Sequence, residues 1–363
     1  MKKIVVLLVC LAMMLGMVPA MAESTTASGL PALTKDTICI GMLVNGELPG
    51  EGFAYSLYKG FKALEDEGIK VLYAANIPES GESKTAMESL IANGCNVIYG
   101  CTYGYRDYMI ELADKYPDVY FNHYSGDVNK DNLATFFPKD YQGQYLCGIV
   151  AGMKTETNQI GYICSYPIPQ TVRMANAFTL GVQSVNPDAV VNVKWTNSWF
   201  DPALESTTAK DLVNSGCDVI SDYLSTLNCA IGAAEKGAYG FGYAFSGYDV
   251  IPDTYLTNPA CDWVTFFHND VERIINGEWT GTNQWLGIAE GLVSLGEVYN
   301  SSEECTAKVD EAYQGFADGT LDIWAQEIVD NAGNVVSPEG ETFTDEELLN
   351  MFFFVQGVNG SVQ

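Results

Sequence analysis

Two large aromatic side chains stand on a short loop between a predicted buried strand and a predicted helix. The loop covers residues 197–202 and carries Trp199 and Phe200. Asp201 is placed as an N-cap and Pro202 as the first helical residue, a strong signal of a helix start. The rings therefore lie at the carboxyl end of a strand, the edge where open α/β sheets bind ligands. They suit a flat, partly apolar ligand; the alternative is that one or both rings close the core beneath the loop.

A further aromatic residue, Phe53, follows the loop after the first predicted strand in the other half of the chain. We expect Phe53 and Trp199 to face each other across a cleft and to sandwich a planar ring. Stacking contributes about 0.5–1.5 kcal/mol per aromatic pair beyond area burial and ignores the chemistry of the ring's edge, so polar groups must read that edge. The polar candidates stand at strand ends or, for Glu51, beside Phe53: Glu51, Thr102, Tyr103, His123, Asp222, Tyr243 and Ser246. Each alone has a structural or solvated alternative, so the set carries more weight than its members.

The motifs of common enzymes are absent from the sequence. It has no Walker-type phosphate loop, and no Gly-x-Gly-x-x-Gly follows a predicted strand. No Gly-x-Ser-x-Gly is present either, since Ala244 occupies the flanking position before Ser246. The two histidines, His123 and His268, lack the spacing of a zinc site.

A hydrolase that acts on nucleosides is the competing functional class. Such an enzyme would need clustered aspartates in the first strand loop to hold a metal or a ribose. The loop at 45–51 offers only Glu47 and Glu51. We therefore predict no enzymatic activity, no catalytic residues, no bound metal and no cofactor.

The composition describes an acidic globular protein. The chain has 363 residues, of which 47% are hydrophobic, and a formal net charge of −28. At about 100–200 residues per domain, two domains are expected. The acidity argues against nucleic acid and against anionic membrane surfaces as partners, because both require patches of Lys and Arg. We expect a monomer.

The N-terminus has the pattern of a signal peptide. Lys2 and Lys3 precede an apolar run at 4–18, and Ala-Met-Ala at 20–22 forms a small-x-small cleavage site. We predict cleavage after residue 22, a polar leader at 23–36 and an exported, soluble protein. The apolar run is too short to span a membrane comfortably.

The ten cysteines indicate neither a metal site nor a redox motif, since no Cys-x-x-Cys occurs. Nine remain after the predicted cleavage, so full intramolecular pairing is excluded. Several lie within or beside apolar runs and are predicted to be small buried hydrophobes, although one disulfide is allowed: Cys39, Cys95, Cys147, Cys164 and Cys217. A lipid anchor on Cys10 is a weaker alternative, because the bulky Val9 stands where a small residue is expected.

Predicted strands and helices alternate from residue 37 to residue 243. The strands are predicted at 37–44, 71–75, 97–100, 119–122, 133–137, 160–164, 190–195, 219–222 and 239–243. The helices are predicted at 52–67, 84–93, 106–115, 141–154, 169–185, 203–214 and 229–236. This alternation predicts parallel sheets with right-handed crossovers.

The chain also repeats itself at a spacing of 121–122 residues. The matched pairs of segments are 89–98 with 211–220, 113–115 with 234–236, and 58–60 with 179–181. Three segments in register predict two similar α/β lobes, whose strand ends meet across a cleft suited to a small ligand. In each half a helix ends at Gly, which suits the left-handed C-cap.

We therefore predict an α/β protein of two doubly wound parallel-sheet lobes joined by a hinge. The N-terminal lobe is assigned to 37–138 and 252–286, and the C-terminal lobe to 139–251 and 287–363 with a terminal extension. The hinge crossings are predicted at 137–140, 247–252 and 285–290. In the later part, helices are predicted at 262–276 and 303–318, a strand at 292–298, a capping box at Thr344 and Glu347, and a docked apolar segment at 351–355.

Four stretches give the sequence a specific resemblance: 141–152, 161–169, 176–188 and 195–202. They resemble the basic membrane protein (BMP) family of solute-binding proteins of ABC transporters, which bind purine nucleosides. The resemblance covers about residues 37–360. It implies the type I periplasmic-binding-protein fold, delivery of the ligand to an ABC permease, and Phe53 with Trp199 as the aromatic sandwich.

Departures from the family pattern bear on the ligand. The nucleoside binders carry an acidic residue after the strand at 239–243, where this chain has Ala244; Asp249 would have to replace it. The segment 346–357 is similar to that of a branch containing free-adenine binders, yet Glu51 and Tyr223 stand where that branch tends to have His. The expected ligand is therefore a purine, with free base favoured over nucleoside.

Two alternatives stay open at this point. A ligand-sensing subunit that docks to a membrane receptor would use the same binding site. A sugar or another small planar solute could also stack on Trp199. A purine is favoured because charged residues are scarce at the strand ends, and a sugar needs many paired donors and acceptors. Asp222 is the expected acceptor for an exocyclic amine or a ring N–H.

Overall fold

The computed structural model describes residues 26–48 and 52–362. The predicted signal peptide at 1–22, Cys10 and Glu51 lie outside the described residues. The strands are β1 Cys39–Leu43, β2 Lys70–Ala74, β3 Val97–Gly100, β4 Tyr120–Tyr124, β5 Leu133–Pro138, β6 Gln159–Cys164, β7 Val190–Trp195, β8 Val219–Tyr223, β9 Tyr239–Gly240, β10 Pro259–Cys261, β11 Asn283–Leu286, β12 Val293–Leu295, β13 Ile328–Val329, β14 Val335–Ser337 and β15 Val358–Asn359. The helices are α1 Phe53–Asp66, α2 Gly81–Ala92, α3 Arg106–Lys115, α4 Asp140–Lys154, α5 Pro169–Val185, α6 Pro202–Asn214, α7 Asn228–Ala234, α8 Trp263–Ile275, α9 Glu303–Asp318 and α10 Asp345–Leu349.

The first lobe is built on a six-stranded sheet in the order β11-β5-β4-β3-β1-β2. Every neighbouring pair in it is parallel. β1, β3 and β4 are buried along their whole length. Parallel sheets are covered by helices on both faces, which explains why these strands are buried throughout and show no alternation of buried and exposed residues.

The second lobe is built on a five-stranded parallel sheet in the order β15-β7-β6-β8-β9. β9 ends at Gly240, three residues before the predicted end. Beyond it the chain pairs with the segment 254–257, since Gly240 N donates to Thr254 O and Gly242 N donates to Thr257 O. These bonds replace the ladder of a longer strand.

The predicted internal repeat corresponds to one backbone plan used twice. β1 lies between β2 and β3, and β6 lies between β7 and β8 in the same way. A Cβ on Gly41 would be 2.8 Å from Ile98 Cδ1, and a Cβ on Gly161 would be 2.6 Å from Ile220 Cδ1. The missing Cβ of each glycine thus leaves room for an isoleucine side chain. The two isoleucines are the last residues of the repeated segments and occupy equivalent positions in the two lobes.

The backbone crosses between the lobes three times, and the second crossing lies later than predicted. The first crossing joins β5 to α4, and the third joins β11 to β12, near the predicted positions. We expected the second at 247–252, but that stretch stays with the second lobe, where Tyr255 packs on Leu227 and Ala230. The crossing follows at β10, which pairs antiparallel with β12 before α8 begins. The predicted boundary at 252 therefore moves to about 259, and the other lobe limits stay a prediction.

The C-terminal segment packs on the second lobe, as the apolar run at 351–355 predicted. Met351, Phe354 and Val355 are buried, and β15 adds to the sheet beside β7. The predicted capping box of Thr344 and Glu347 opens α10.

The cysteines of the described chain are free thiols, and all but Cys261 are buried, as predicted for most of them. Cys39 and Cys95 are close, with their Sγ atoms 3.5 Å apart, but they are not bonded. Within residues 26–48 and 52–362, none of the helices is both long and apolar enough to cross a membrane.

Candidate functional site

A cavity lies where the strand ends of the two lobes face each other. Its lining residues end a strand, follow a strand or begin a helix, the positions at which α/β sheets bind ligands. The first lobe contributes Asn45, Phe53, Thr102, Tyr103 and Tyr124, and the second contributes Gln170, Trp199, Tyr223, Leu224, Ser225 and Tyr243.

The two predicted aromatic residues meet in this cavity, one from each lobe. Phe53 is the first residue of α1 and packs against Tyr124, with ring centroids 4.9 Å apart. Trp199 lies between β7 and α6, edge-on to Tyr223 with ring centroids 6.5 Å apart. Both Phe53 and Trp199 are only partly buried, so each keeps surface that a ligand could cover. The structure thus brings together the pair that the sequence predicted.

The predicted helix start holds the Trp199 loop in place. The Asp201 carboxylate caps α6 by accepting from Leu204 N at 3.0 Å, and Pro202 is the first helical residue. Phe200 is 64% exposed, so the alternative that it closes the core is wrong. A capped helix start limits how far the neighbouring Trp199 ring can move.

The lobes touch each other around the cavity. Gly52 has φ of +86° and lies so close to Ser225 that a Cβ would overlap the Ser225 carbonyl oxygen. On the other side, the Ser125 hydroxyl donates to Gln170 Oε1 at 2.7 Å across the gap between lobes. The cleft is therefore closed in this structure.

A hydrogen-bonded network of buried side chains forms the polar wall of the cavity. The hydroxyls of Tyr223 and Tyr243 both donate to Asp140 Oδ2, at 2.9 and 2.7 Å. Gln170 Nε2 donates to the Tyr223 hydroxyl at 3.1 Å. Asp140 is 2% exposed and is the first residue of α4, so the network ties a helix start to two strand ends.

Burial dominates the electrostatics of this network. It raises the pKa of Asp140 to about 6, although hydrogen bonds from Tyr243 and Tyr223 and the charge of Arg173 work in the opposite direction. The phenol pKa values of Tyr223 and Tyr243 are raised well above their usual range, again mainly by burial. Both phenols are therefore neutral donors at any physiological pH.

Three of the predicted polar residues line the cavity: Thr102, Tyr103 and Tyr243. The Thr102 hydroxyl is already engaged, since it donates to the Glu79 carboxylate. Tyr103 is 41% exposed at the cavity's rim. Tyr243 is buried and belongs to the network around Asp140.

Three other predicted residues do not line it. His123 is buried below Thr102 and donates from Nε2 to the Thr102 carbonyl at 3.0 Å; burial lowers its pKa to about 4, so it is neutral. Asp222 is buried on the other face of β8, where Oδ1 accepts from Leu224 N at 3.1 Å. Asp222, the expected acceptor for the ligand's amine, therefore does not line this cavity. Ser246 is exposed and accepts from Tyr248 N.

Sequence reasoning did not select several cavity residues: Asn45, Tyr124, Gln170, Tyr223, Leu224, Ser225 and, behind them, Asp140. Neighbouring residues in a strand point to opposite faces, so Asp222 and Tyr223 cannot both reach the cavity. The sequence gives no sign of which one does, because both faces of β8 are buried. Asp140 could have been noticed in the sequence because it is a charged residue at the start of the largely apolar helix α4.

The described residues offer no metal centre. Among residues 26–48 and 52–362, no group of three or more His, Cys, Asp or Glu side chains is arranged to hold an ion. What the cavity offers is aromatic surface from both lobes and a few hydrogen-bonding groups, which is the chemistry of a binding site for a small planar molecule.

Family and sequence comparisons agree with a binding role. The model of the family described as ABC transporter substrate-binding protein PnrA-like matches residues 37–314. A purine-binding protein of Brucella abortus is 30% identical over 335 residues, which cover 91% of this chain and 95% of the relative. A Haloferax volcanii protein named as an ABC transporter glucose-binding protein is also 30% identical, over 93% of this chain and 84% of its own.

Solved structures show the same fold. A solute-binding protein of an ABC transporter system from Aeropyrum pernix aligns with a TM-score of 0.67 at 18% identity, covering 78% of this chain and 92% of its own. One from Conexibacter woesei aligns with a TM-score of 0.65 at 18% identity, covering 78% of this chain and 98% of its own. The predicted type I periplasmic-binding-protein fold, with two doubly wound parallel-sheet lobes, is confirmed.

Proposed function

The chain belongs to the PnrA-like family of ABC transporter substrate-binding proteins, and we propose that its ligand is a purine held between Phe53 and Trp199. Proteins of this kind are extracytoplasmic and bind small solutes for a transporter. The observation that carries the proposal is the cavity itself, to which each lobe contributes one partly buried ring. A planar ring between two aromatic faces gains stacking energy from both lobes and so favours their closure.

Similarity to relatives does not choose the ligand, because the relatives named for a purine and for glucose are equally identical to this chain. The residues of the cavity support the purine. A sugar needs a partner for every hydroxyl, and each buried donor or acceptor left unpaired costs about 1–3 kcal/mol. A purine needs partners only along its edge, where Tyr223, Tyr243 and Gln170 stand.

Within the purines we propose a free base in preference to a nucleoside. The position at which nucleoside binders carry an acidic residue is Ala244, which has φ of +63°. Asp249, the side chain that would have to take its place, is exposed and does not line the cavity. A ribose in the cavity would therefore lack its expected carboxylate partner.

We further propose the route of the protein and the ligand. Residues 1–22 serve as a signal peptide, the exported protein is a monomer without a lipid anchor on Cys10, and it passes the purine to an ABC permease. The lobes open and close about the three crossings. Small-angle scattering is expected to give a smaller radius of gyration with saturating ligand, and superimposable curves would contradict this closure.

Titration calorimetry on unfolded and refolded protein, freed of any ligand from the host, tests the purine proposal. The panel is adenine, guanine, adenosine, guanosine, ribose, galactose and glucose. We expect a free base to bind most tightly, a nucleoside more weakly and the sugars not at all. Tight binding of a sugar with no heat from any purine would overturn the proposal.

A further inference from the structure

Asp140 lies behind the cavity and accepts hydrogen bonds from the hydroxyls of two tyrosines that line it. Its Oδ2 accepts from Tyr223 at 2.9 Å and from Tyr243 at 2.7 Å, and its Oδ1 accepts from the Cys261 thiol at 3.5 Å. A phenol has a single O–H. Both tyrosine protons are therefore committed to the carboxylate, and the two oxygens have only lone pairs left to offer.

The orientation of the Gln170 amide follows from this commitment. The Tyr223 oxygen has no proton to give, so it accepts from Gln170 Nε2 at 3.1 Å. Gln170 Oε1 is then turned to the first lobe, where it accepts from the Ser125 hydroxyl at 2.7 Å. Among the described residues, the second N–H of this amide has no other partner, so Gln170 meets the cavity as a donor.

We propose that Asp140 is a positioning residue that fixes the hydrogen-bond polarity of the cavity, so that a purine with an exocyclic amino group is selected over its oxo counterpart. The inference rests on the proposed purine ligand and specifies its subclass. The two tyrosine oxygens act as acceptors and Gln170 acts as a donor.

Adenine and hypoxanthine differ in the group on carbon 6, which is the group expected to face the tyrosine oxygens. Adenine carries an amino group on carbon 6, which donates to a tyrosine oxygen. Hypoxanthine carries an oxygen there, which would place lone pairs against the lone pairs of Tyr223 or Tyr243. Two buried acceptors without a proton between them are repulsive and unsatisfied, and such mismatches are an effective source of specificity.

The charge state of Asp140 controls the arrangement. The groups that face the carboxylate are Tyr223, Tyr243 and Cys261 by hydrogen bond, and Arg173 and Tyr124 through their charge interactions. With a pKa raised to about 6 by burial, the carboxylate is mainly ionised at neutral pH and becomes protonated in mild acid. A protonated carboxyl donates to one tyrosine, which then turns its own O–H to the cavity and donates to the oxygen of an oxo purine.

The test is the ratio of adenine affinity to hypoxanthine affinity, measured by calorimetry between about pH 5 and pH 8. In the wild type the ratio is expected to rise about tenfold across this range, the worth of one hydrogen bond. In Asp140→Asn, whose amide does not titrate, the ratio is expected to stay the same at every pH. The matched control is Asp270→Asn, since Asp270 is also buried and accepts from the Tyr99 hydroxyl at 2.6 Å, but lies in the core of the first lobe. It is expected to follow the wild type.

The outcomes separate this inference from the proposed function. If purines bind and the ratio is the same in the wild type and Asp140→Asn at every pH, the polarity inference is wrong while the purine function stands. If the wild type binds no purine, the proposed function fails. The selection between purines fails with it, and the ionisation of Asp140, on which the polarity of the cavity depends, is then decided by the infrared carbonyl band of a protonated carboxyl, identified by its loss in Asp140→Asn. If this band appears only below about pH 6, Asp140 is an ionised hydrogen-bond acceptor at neutral pH, as inferred. If the band is present at neutral pH, the inference is overturned. If Asp140→Asn does not fold, the pH dependence of the wild-type ratio decides alone, and a flat ratio overturns the inference.

Discussion

In the first lobe the strand ends offer the cavity mainly rings, whereas in the second they offer a connected set of polar groups around a buried carboxylate. Phe53 and Tyr124 pack against each other without a shared hydrogen bond in the described structure. Tyr223 and Tyr243 are tied to Asp140. The central strands of the two lobes follow one plan, β3-β1-β2 and β8-β6-β7, so at these strands the difference lies in the side chains.

The comparison of the two lobes distinguishes residues that the packing of the sheets requires from residues that only line the cavity. Gly41 and Gly161 are equivalent because a Cβ at either position would collide with an isoleucine of the neighbouring strand. Residues that only the cavity needs are free to differ between the lobes. We therefore expect the second lobe to supply most of the hydrogen bonding and the first to supply a surface that closes over the ligand.

The largest expected effect comes from blocking that closure. Gly52→Ala would place a Cβ against the Ser225 carbonyl oxygen, and we expect purine affinity to fall by at least about a hundredfold, because the closed cleft could not form. The control is Gly94→Ala, where φ is +94° but nothing lies within 4 Å of the new Cβ. Both variants are expected to lose about 1 kcal/mol of stability through backbone strain. Equal affinities in calorimetry would show that the lobes need not meet at Gly52.

Removing the ring of the second lobe has the next largest effect. Trp199→Ala is expected to weaken purine binding about tenfold to a hundredfold, because one face of the stack is lost. The neighbouring Phe200→Ala removes a ring that is 64% exposed and is expected to leave the affinity unchanged. Calorimetric titration of both variants makes the comparison. An unchanged purine affinity in Trp199→Ala would mean that the ligand does not stack on this ring.

Asp140 makes the second lobe sensitive to pH. Its folded pKa of about 6 lies above the ordinary value of 3.8, so between these values the folded state holds more proton than the unfolded state. Stability from this group is therefore present in acid and lost as the pH rises. Relative to Asp140→Asn, the ligand-free wild type is expected to lose about 2 kcal/mol of unfolding free energy from about pH 4.5 to pH 7. Chemical denaturation at the two pH values measures these unfolding free energies. If the unfolding free energies of both proteins changed equally with pH, the folded state would not raise the pKa of Asp140.

The smallest effects compare two neighbours on β8. Tyr223→Phe removes an acceptor from the cavity and is expected to weaken adenine binding about tenfold. Asp222→Asn alters a side chain on the opposite face and is expected to change the affinity by less than about twofold. The reverse order of effects, measured by the same titration, would mean that the acidic residue and not the phenol reads the ligand.

The sequence predicted the fold closely because apolar runs, caps and the internal repeat are local signals. Asp201 and Pro202 marked the start of α6, and Thr344 with Glu347 marked the start of α10. The second crossing was misplaced because 247–252 carries turn residues. The chain nevertheless stays with the second lobe beyond them, since residues 240–242 form backbone bonds with 254–257, which only the tertiary structure reveals.

The site was predicted in part, for a related reason. Phe53 and Trp199, which line one cavity, could be selected from the sequence because rings on strand-end loops have few other roles. Asp222 was selected as an acceptor for an exocyclic amine or a ring N–H, yet both faces of β8 are buried and the alternation does not show which residue faces the cavity. Asp140 was missed because its function depends on two tyrosines that are distant in sequence.

The crystal structure of the protein grown with adenine would test the central claim most directly. We expect density for the purine ring between Phe53 and Trp199, with its amino group within hydrogen-bonding distance of the hydroxyl oxygen of Tyr223 or Tyr243. Adenine bound elsewhere while these two rings remain uncovered, or adenine in the cavity with its amino group turned away from both tyrosines, would contradict the account.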